Sequence, residues 1–131
     1  MSKSCNWVLD ASAVLALIND EPGADIVRQA IKEEAIIGSV NFAELVSKLD
    51  DIGITAEDIR VIVELLNIEV VSFDWQLAYE AGLLRSITKQ FGLSLGDRAC
   101  IALGRHMNLP VITADRVWSQ PQIDVDIRFI R

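Results

Sequence analysis

The chain has 131 residues, 51% of them hydrophobic, with 12 basic against 19 acidic residues and a formal net charge of −7. That length and apolar content suffice to bury the core of a single domain spanning residues 1–131, with no need for disulfides or a structural metal. The negative charge excludes general attraction to nucleic acid or anionic membranes, but not a local basic patch or a metal-dependent nucleic-acid enzyme. Two cysteines, Cys5 and Cys100, make neither a disulfide framework nor a metal pattern. Cys100 lies in an apolar run and reads as a small buried hydrophobe. The N-terminus lacks the features of a secretory signal and no apolar stretch reaches the ~20 residues of a membrane span. The expected compartment is therefore a reducing cytoplasm.

In chain order, strands and helices alternate. Trp7-Val8-Leu9 is a short apolar strand ending at Asp10, and Ala11 to Ile18 reads as a helix. Pro22-Gly23 opens a second helical segment in which Ile26, Val27, Ala30 and Ile31 make one stripe. Ala35 to Ser39 is the next strand; Asn41 is placed to cap the helix after it, which carries Leu45, Val46 and Leu49 inward. Thr55, with Glu57 and Asp58 behind it, starts a helix reaching Leu66. Glu69 to Phe73 is a third strand. Asp74 caps a long helix predicted to run to Gln90 and to stop at Gly92. Ser94 caps a helix from Leu95 to His106, Pro110 to Thr113 is a fourth strand, and Val125 to Ile130 a fifth. The pattern predicts an α/β fold with a mostly parallel central sheet of about five strands and helices on both faces.

In such a sheet, ligands bind beyond the carboxyl ends of the strands. Asp10 ends the first strand and Asp115 follows the fourth; Glu44 and Asp97 fall near the starts of helices that begin at the same edge. Four carboxylates converging there repel one another unless a cation compensates. Oxygen donors without nearby cysteine or histidine suit Mg²⁺ or Mn²⁺ better than zinc. Each acid also has a local structural reading. Glu44 stands three residues after Asn41 and Asp97 three after Ser94, the spacing of a capping box, and Asp115 fits a turn. Asp10 fits the cap of the helix that follows it, at the expense of leaving a charge beside the sheet.

The combination of Leu9-Asp10-Ala11-Ser12-Ala13, Asn41-Phe42-Ala43-Glu44-Leu45, Leu93-Ser94-Leu95-Gly96-Asp97-Arg98-Ala99 and Thr113-Ala114-Asp115 resembles the PIN-domain ribonucleases. Within that superfamily it resembles the VapC-like toxins of toxin–antitoxin pairs. The resemblance covers essentially the whole chain. It implies catalytic and metal-binding positions at Asp10, Glu44, Asp97 and Asp115, with Ser12 and Thr113 as polar support. It further implies Mg²⁺- or Mn²⁺-dependent cleavage of RNA, often transfer or ribosomal RNA, a homodimer, and an antitoxin partner that blocks the pocket. An RNA-processing nuclease or a non-catalytic PIN-like binding module are the alternatives on the same fold.

Arg98 and Arg116 each adjoin a proposed site acid in sequence and are candidates to neutralise it or to contact substrate phosphate. Trp118, just beyond Asp115, is a candidate for the pocket edge or a partner surface. His106, the single histidine, falls near a helix C-terminus, which argues against histidine-based ribonuclease chemistry. A receiver domain, a haloacid-dehalogenase-type phosphatase and a P-loop domain are excluded by the absence of their paired acids, second aspartate and glycine-rich loop.

Overall fold

A computed structural model describes residues 5–131. Five strands, β1 (Trp7–Leu9), β2 (Ala35–Gly38), β3 (Glu69–Val71), β4 (Val111–Thr113) and β5 (Ile127–Phe129), form one sheet in the order β3-β2-β1-β4-β5. All four pairings are parallel. The strands alternate faces with period two. Leu9, Ile37 and Ile112 enter a core with α1 (Ala11–Ile18), α2 (Ala24–Lys32), α3 (Ser39–Asp51) and α4 (Ala56–Leu66). Val8, Ile36 and Val111 enter the opposite core with α5 (Trp75–Leu83) and α7 (Leu95–Met107). The α/β architecture read from the sequence is therefore the one observed.

Several helix ends follow the predicted chemistry. Thr55 accepts from the Asp58 N–H at 3.2 Å, Asp74 from Leu77 at 2.9 Å, and Ser94 with Asp97 makes a reciprocal capping box on α7. Three expectations need correction. The helix after β2 starts at Ser39 directly from an extended Gly38, so Asn41 lies inside its first turn and is not the cap. Glu44 consequently falls in the second turn.

The long helix after Asp74 does not run unbroken to Gln90. It stops at Leu83, resumes as a short α6 (Arg85–Thr88), and passes through a 3-10 turn at Lys89–Phe91 before Gly92, at φ 74°, ends it. Side chains take carbonyls at the break: Arg98 Nη1 donates to Ala81 O at 2.9 Å and Thr88 Oγ1 to Leu84 O at 2.8 Å. The fifth strand is shorter than predicted at both ends.

The order of strands places the chain's reversal at β1. From β1 the path steps outward through β2 to β3, then crosses to β4 on the other side of β1. The crevice beyond the carboxyl ends of β1 and β4 is the topological switch point where such sheets bind ligands.

Candidate active site

Asp10 is the structural centre of that crevice. It is 4% exposed and occupies the N-cap position of α1, yet its carboxylate makes no capping bond. Instead Oδ2 accepts from Ser12 Oγ at 2.6 Å and from Thr113 Oγ1 at 2.9 Å. Each hydroxyl is itself an acceptor from backbone: Ser12 Oγ from Ala114 N and Thr113 Oγ1 from Asp115 N, both at 3.0 Å. Each hydroxyl has one proton, so these N–H bonds orient both protons onto Asp10. Burial is the main cause that pushes the Asp10 carboxyl from 3.8 up to about 6; the two hydroxyl bonds work against it, and the charges of Asp97 and Glu44 add to it.

Glu44 projects from α3 toward α7. Its Oε1 accepts from Asn41 Nδ2 at 3.0 Å, and the same nitrogen donates to Gly96 O at 3.0 Å. Its carboxyl is also raised, first by partial burial and then by Asp97, against the Asn41 bond and the Lys48 charge. Gly96 makes room for it: a Cβ there would lie 2.6 Å from Glu44 Oε1. Asp97 Oδ2 accepts from Ser94 N at 2.9 Å. Asp115 caps the 3-10 turn Arg116–Ser119, with Oδ1 accepting from Val117 N at 3.1 Å.

A common feature emerges. Asp10, Glu44, Asp97 and Asp115 each anchor one carboxylate oxygen to the protein, and for none of them is the other oxygen bonded within the described residues. The charge of Asp97 is felt at both Asp10 and Glu44, and the fully buried Cys100 thiol is raised first by its burial and then by the charges of Asp10, Asp97 and Glu44. Asp115 is tied to the group differently, through the Thr113 hydroxyl that bridges its N–H to Asp10. Among the described residues no three carboxylates stand in a ready metal cage. The donor chemistry nonetheless fits a hard divalent cation, because it consists of anchored carboxylate oxygens with free lone pairs.

The two arginines are engaged within the protein. Arg98 is 91% buried and directed to Ala81 O. Residues adjacent on a helix point about 100° apart, so Asp97 and Arg98 serve different neighbours. Arg116 lies 4.7 Å over the Phe129 ring and donates to Arg131 O; it forms no ion pair with Asp115. Trp118 is neither rim nor partner surface, being fully buried in the core with α5 and α7. His106 sits in the last turn of α7, 3.6 Å from Glu80, at the opposite end of that helix from Asp97. Cavities of about 570 and 360 Å³ flank β5, the first lined by Trp118, Ile123 and Phe129, the second by Trp7, Ile26 and Arg128. Neither includes any of the four acids. Sequence reasoning missed Asn41 as a site residue; its spacing from Glu44 was visible but was read as a cap.

A parallel five-stranded α/β sheet with buried Asp10 at its switch point defines the class of protein. The chain belongs to the PIN domain family, whose pattern it matches over residues 7–123. No curated protein sequence matches it. Solved structures do. The DNA-bound VapBC of Salmonella typhimurium is 17% identical, with a TM-score of 0.76 over 98% of this chain and 100% of that one. VapBC2 of Rickettsia felis, bound to a promoter DNA fragment, is 16% identical with a TM-score of 0.74, covering 94% and 97%. VapBC-1 of nontypeable Haemophilus influenzae is 20% identical with a TM-score of 0.73, covering 95% and 97%. The shared property is the fold.

Proposed function

We propose that the protein is a metal-dependent endoribonuclease and the toxin of a toxin–antitoxin pair. The observation that carries this reading is the buried Asp10 at the switch point of a PIN fold, with the charges of Asp97 and Glu44 felt at its carboxyl and Asp115 joined to it through the Thr113 hydroxyl. Asp10, Asp97, Asp115 and Glu44 would hold the ion, Mg²⁺ or Mn²⁺. When bound, such an ion neutralises phosphate charge and acidifies an attacking water.

The chain's own residues supply the rest. Ser12 and Thr113 fix Asp10, so that its free oxygen keeps one direction. Glu44 would act on the ion through a water held at its free oxygen, and its raised carboxyl suits it to help deprotonate that water. Glu44, Asp97 and Asp115 are partly exposed, which leaves them within reach of a phosphodiester chain such as transfer or ribosomal RNA.

The partners follow from the same reading. Solved relatives are VapBC complexes, which supports a cognate antitoxin for this chain. Its docking surface is assigned to the exposed apolar residues Ile52, Val61 and Leu65 around α4. A second copy of the chain is assigned to α5 and α6, where Trp75, Tyr79, Leu83 and Ile87 recur every fourth residue and are 45–76% exposed. Asp74 lies at the start of that stripe and Arg85 and Lys89 near its end, so an antiparallel pairing of two copies brings opposite charges together. No helix among the described residues is long and apolar enough to cross a membrane, consistent with the cytoplasmic site of action proposed here.

The test is cleavage of cellular RNA by the antitoxin-free protein with Mg²⁺ or Mn²⁺ and with EDTA, alongside folded Asp10→Asn and Asp97→Asn proteins. The expected result is metal-dependent cutting that both substitutions reduce by at least about a hundredfold, the scale of losing a positioned catalytic group. Equal cutting by wild type and variants assigns the activity elsewhere. A folded protein that neither binds Mn²⁺ nor cuts is a PIN-like binding module.

A further inference from the structure

We propose that Asn41 is a positioning residue that sets the Glu44 carboxylate in the active site, with Gly96 as the matching gap. The inference rests on the nuclease reading and adds to it a residue outside the four acids. Asn41 is fully buried in the first turn of α3. Its Nδ2 delivers its two protons to two acceptors, Glu44 Oε1 and Gly96 O, both at 3.0 Å. Reversing the amide would set its carbonyl oxygen against two other oxygens, so the orientation is determined by the partners.

The opposite end of the amide indicates what the residue is for. Oδ1 is buried and has no hydrogen-bond partner. Buried polar atoms are almost always paired, because an unpaired one retains its full desolvation cost. An apolar residue would let α3 pack on α7 without that cost, but it would bond neither Glu44 nor Gly96. What the amide adds is a brace: one bond fixes it to the backbone of α7 and the other pulls the Glu44 carboxylate toward the helix that carries Asp97. Those two carboxylates repel, so without a donor between them Glu44 swings to solvent.

The gap at Gly96 is shaped by the same carboxylate. A Cβ at this position would stand 2.5 Å from Glu44 Cδ and 2.6 Å from Oε1. Any side chain there evicts Glu44 while leaving every hydrogen-bond donor in place. Gly96 has no positive φ to explain it, so close approach is its structural reason.

The test is Mn²⁺ affinity, read by titration calorimetry or by electron paramagnetic resonance of free Mn²⁺. It compares wild type, Asn41→Ala, Gly96→Ala, Glu44→Ala, Asp10→Asn and the two doubles with Glu44→Ala, all checked for folding by circular dichroism. Loss of a residue that orients a ligand weakens metal binding about tenfold or more. That is the expected result for Asn41→Ala and for Gly96→Ala. Adding either substitution to Glu44→Ala is expected to change the affinity less than about twofold, since a residue acting through Glu44 has nothing left to position.

Full affinity in the single variants overturns the proposal. So does an equal loss with and without Glu44, which marks a general packing role. If Asn41→Ala does not fold, Gly96→Ala carries the test, because it removes no hydrogen-bonding group. If Asp10→Asn and Glu44→Ala both leave Mn²⁺ binding unchanged, the metal-site reading itself falls, and this inference with it.

Discussion

The buried Asp10 carboxyl makes a quantitative prediction about the metal-free protein. Its ionisation is pushed from 3.8 up to about 6, chiefly by burial. For an acid raised in the folded state, the folded protein binds the proton more tightly than the unfolded chain. Stability is then highest when the group is protonated, and it falls as pH rises from about 4 through about 6. The rise corresponds to about 3 kcal/mol at neutral pH. Asn at position 10 keeps an acceptor for the Ser12 and Thr113 hydroxyls and carries no charge, so it removes this term. Urea unfolding of wild type and Asp10→Asn in EDTA, from pH 4 to pH 7.5, isolates the effect because other titrating groups cancel in the difference. The two proteins are expected to be similar near pH 4. By pH 7 Asp10→Asn should be more stable by about 3 kcal/mol, or ~10 °C in Tm for a chain of this size. Mg²⁺ should then stabilise wild type and leave the variant unmoved. Parallel stability curves across this pH range would refute the argument that Asp10 is a strained, desolvated carboxylate.

Thr113→Val removes a hydroxyl that donates to Asp10 and accepts from Asp115 N. It should cost about 1–3 kcal/mol in denaturant titration, for the N–H left unpaired. It should also move the acid limb of the cleavage pH profile to higher pH, because the lost bond is one of those holding the Asp10 carboxyl down; an unmoved limb rejects that role. Tyr79→Glu with Leu83→Glu places two charges on the exposed stripe of α5 and should convert a dimer to a monomer in sedimentation with little change in Tm. Retention of the dimer mass moves the interface away from α5.

How much of this was legible in the sequence depended on whether the signal was local. The caps at Thr55, Asp74 and Ser94 were readable because a side chain and an N–H three residues on decide them. Asp10 was readable as anomalous because an acid at the end of an apolar strand needs a reason. The break in the helix after Asp74 was not readable: Leu77, Ala81 and Leu84 keep a helical period right up to it, and the groups taking the freed carbonyls include Arg98, from another helix. Arg98 and Trp118 were misassigned by sequence adjacency to site acids. Neighbours in sequence share a location, but their side chains diverge, and the second core, with α5 and α7, claimed both. The family resemblance pointed to the acids and ran through Asn41 and Gly96 without joining them, because the two are 55 residues apart in the chain.

The local and functional readings of the acids were set against each other in the sequence, and under the proposed function they are compatible. Asp97 is a capping-box residue and Asp115 caps a turn, yet both lie where the parallel sheet brings its helix starts and strand ends together. A carboxylate has two oxygens. One bonded to a backbone N–H at a helix or turn start is held in orientation at little entropic cost, which leaves the second oxygen aimed and unbonded. Asp10 reaches the same result with two hydroxyls, and Glu44, too far along its helix for a cap, uses the Asn41 amide. In the proposed site, capping is thus the means of preorganisation. It follows that Ser94→Ala, which keeps the N–H holding Asp97 Oδ2 and removes only the acceptor for the Asp97 N–H, should fray the first turn of α7 and so lower cleavage rate and melting temperature together.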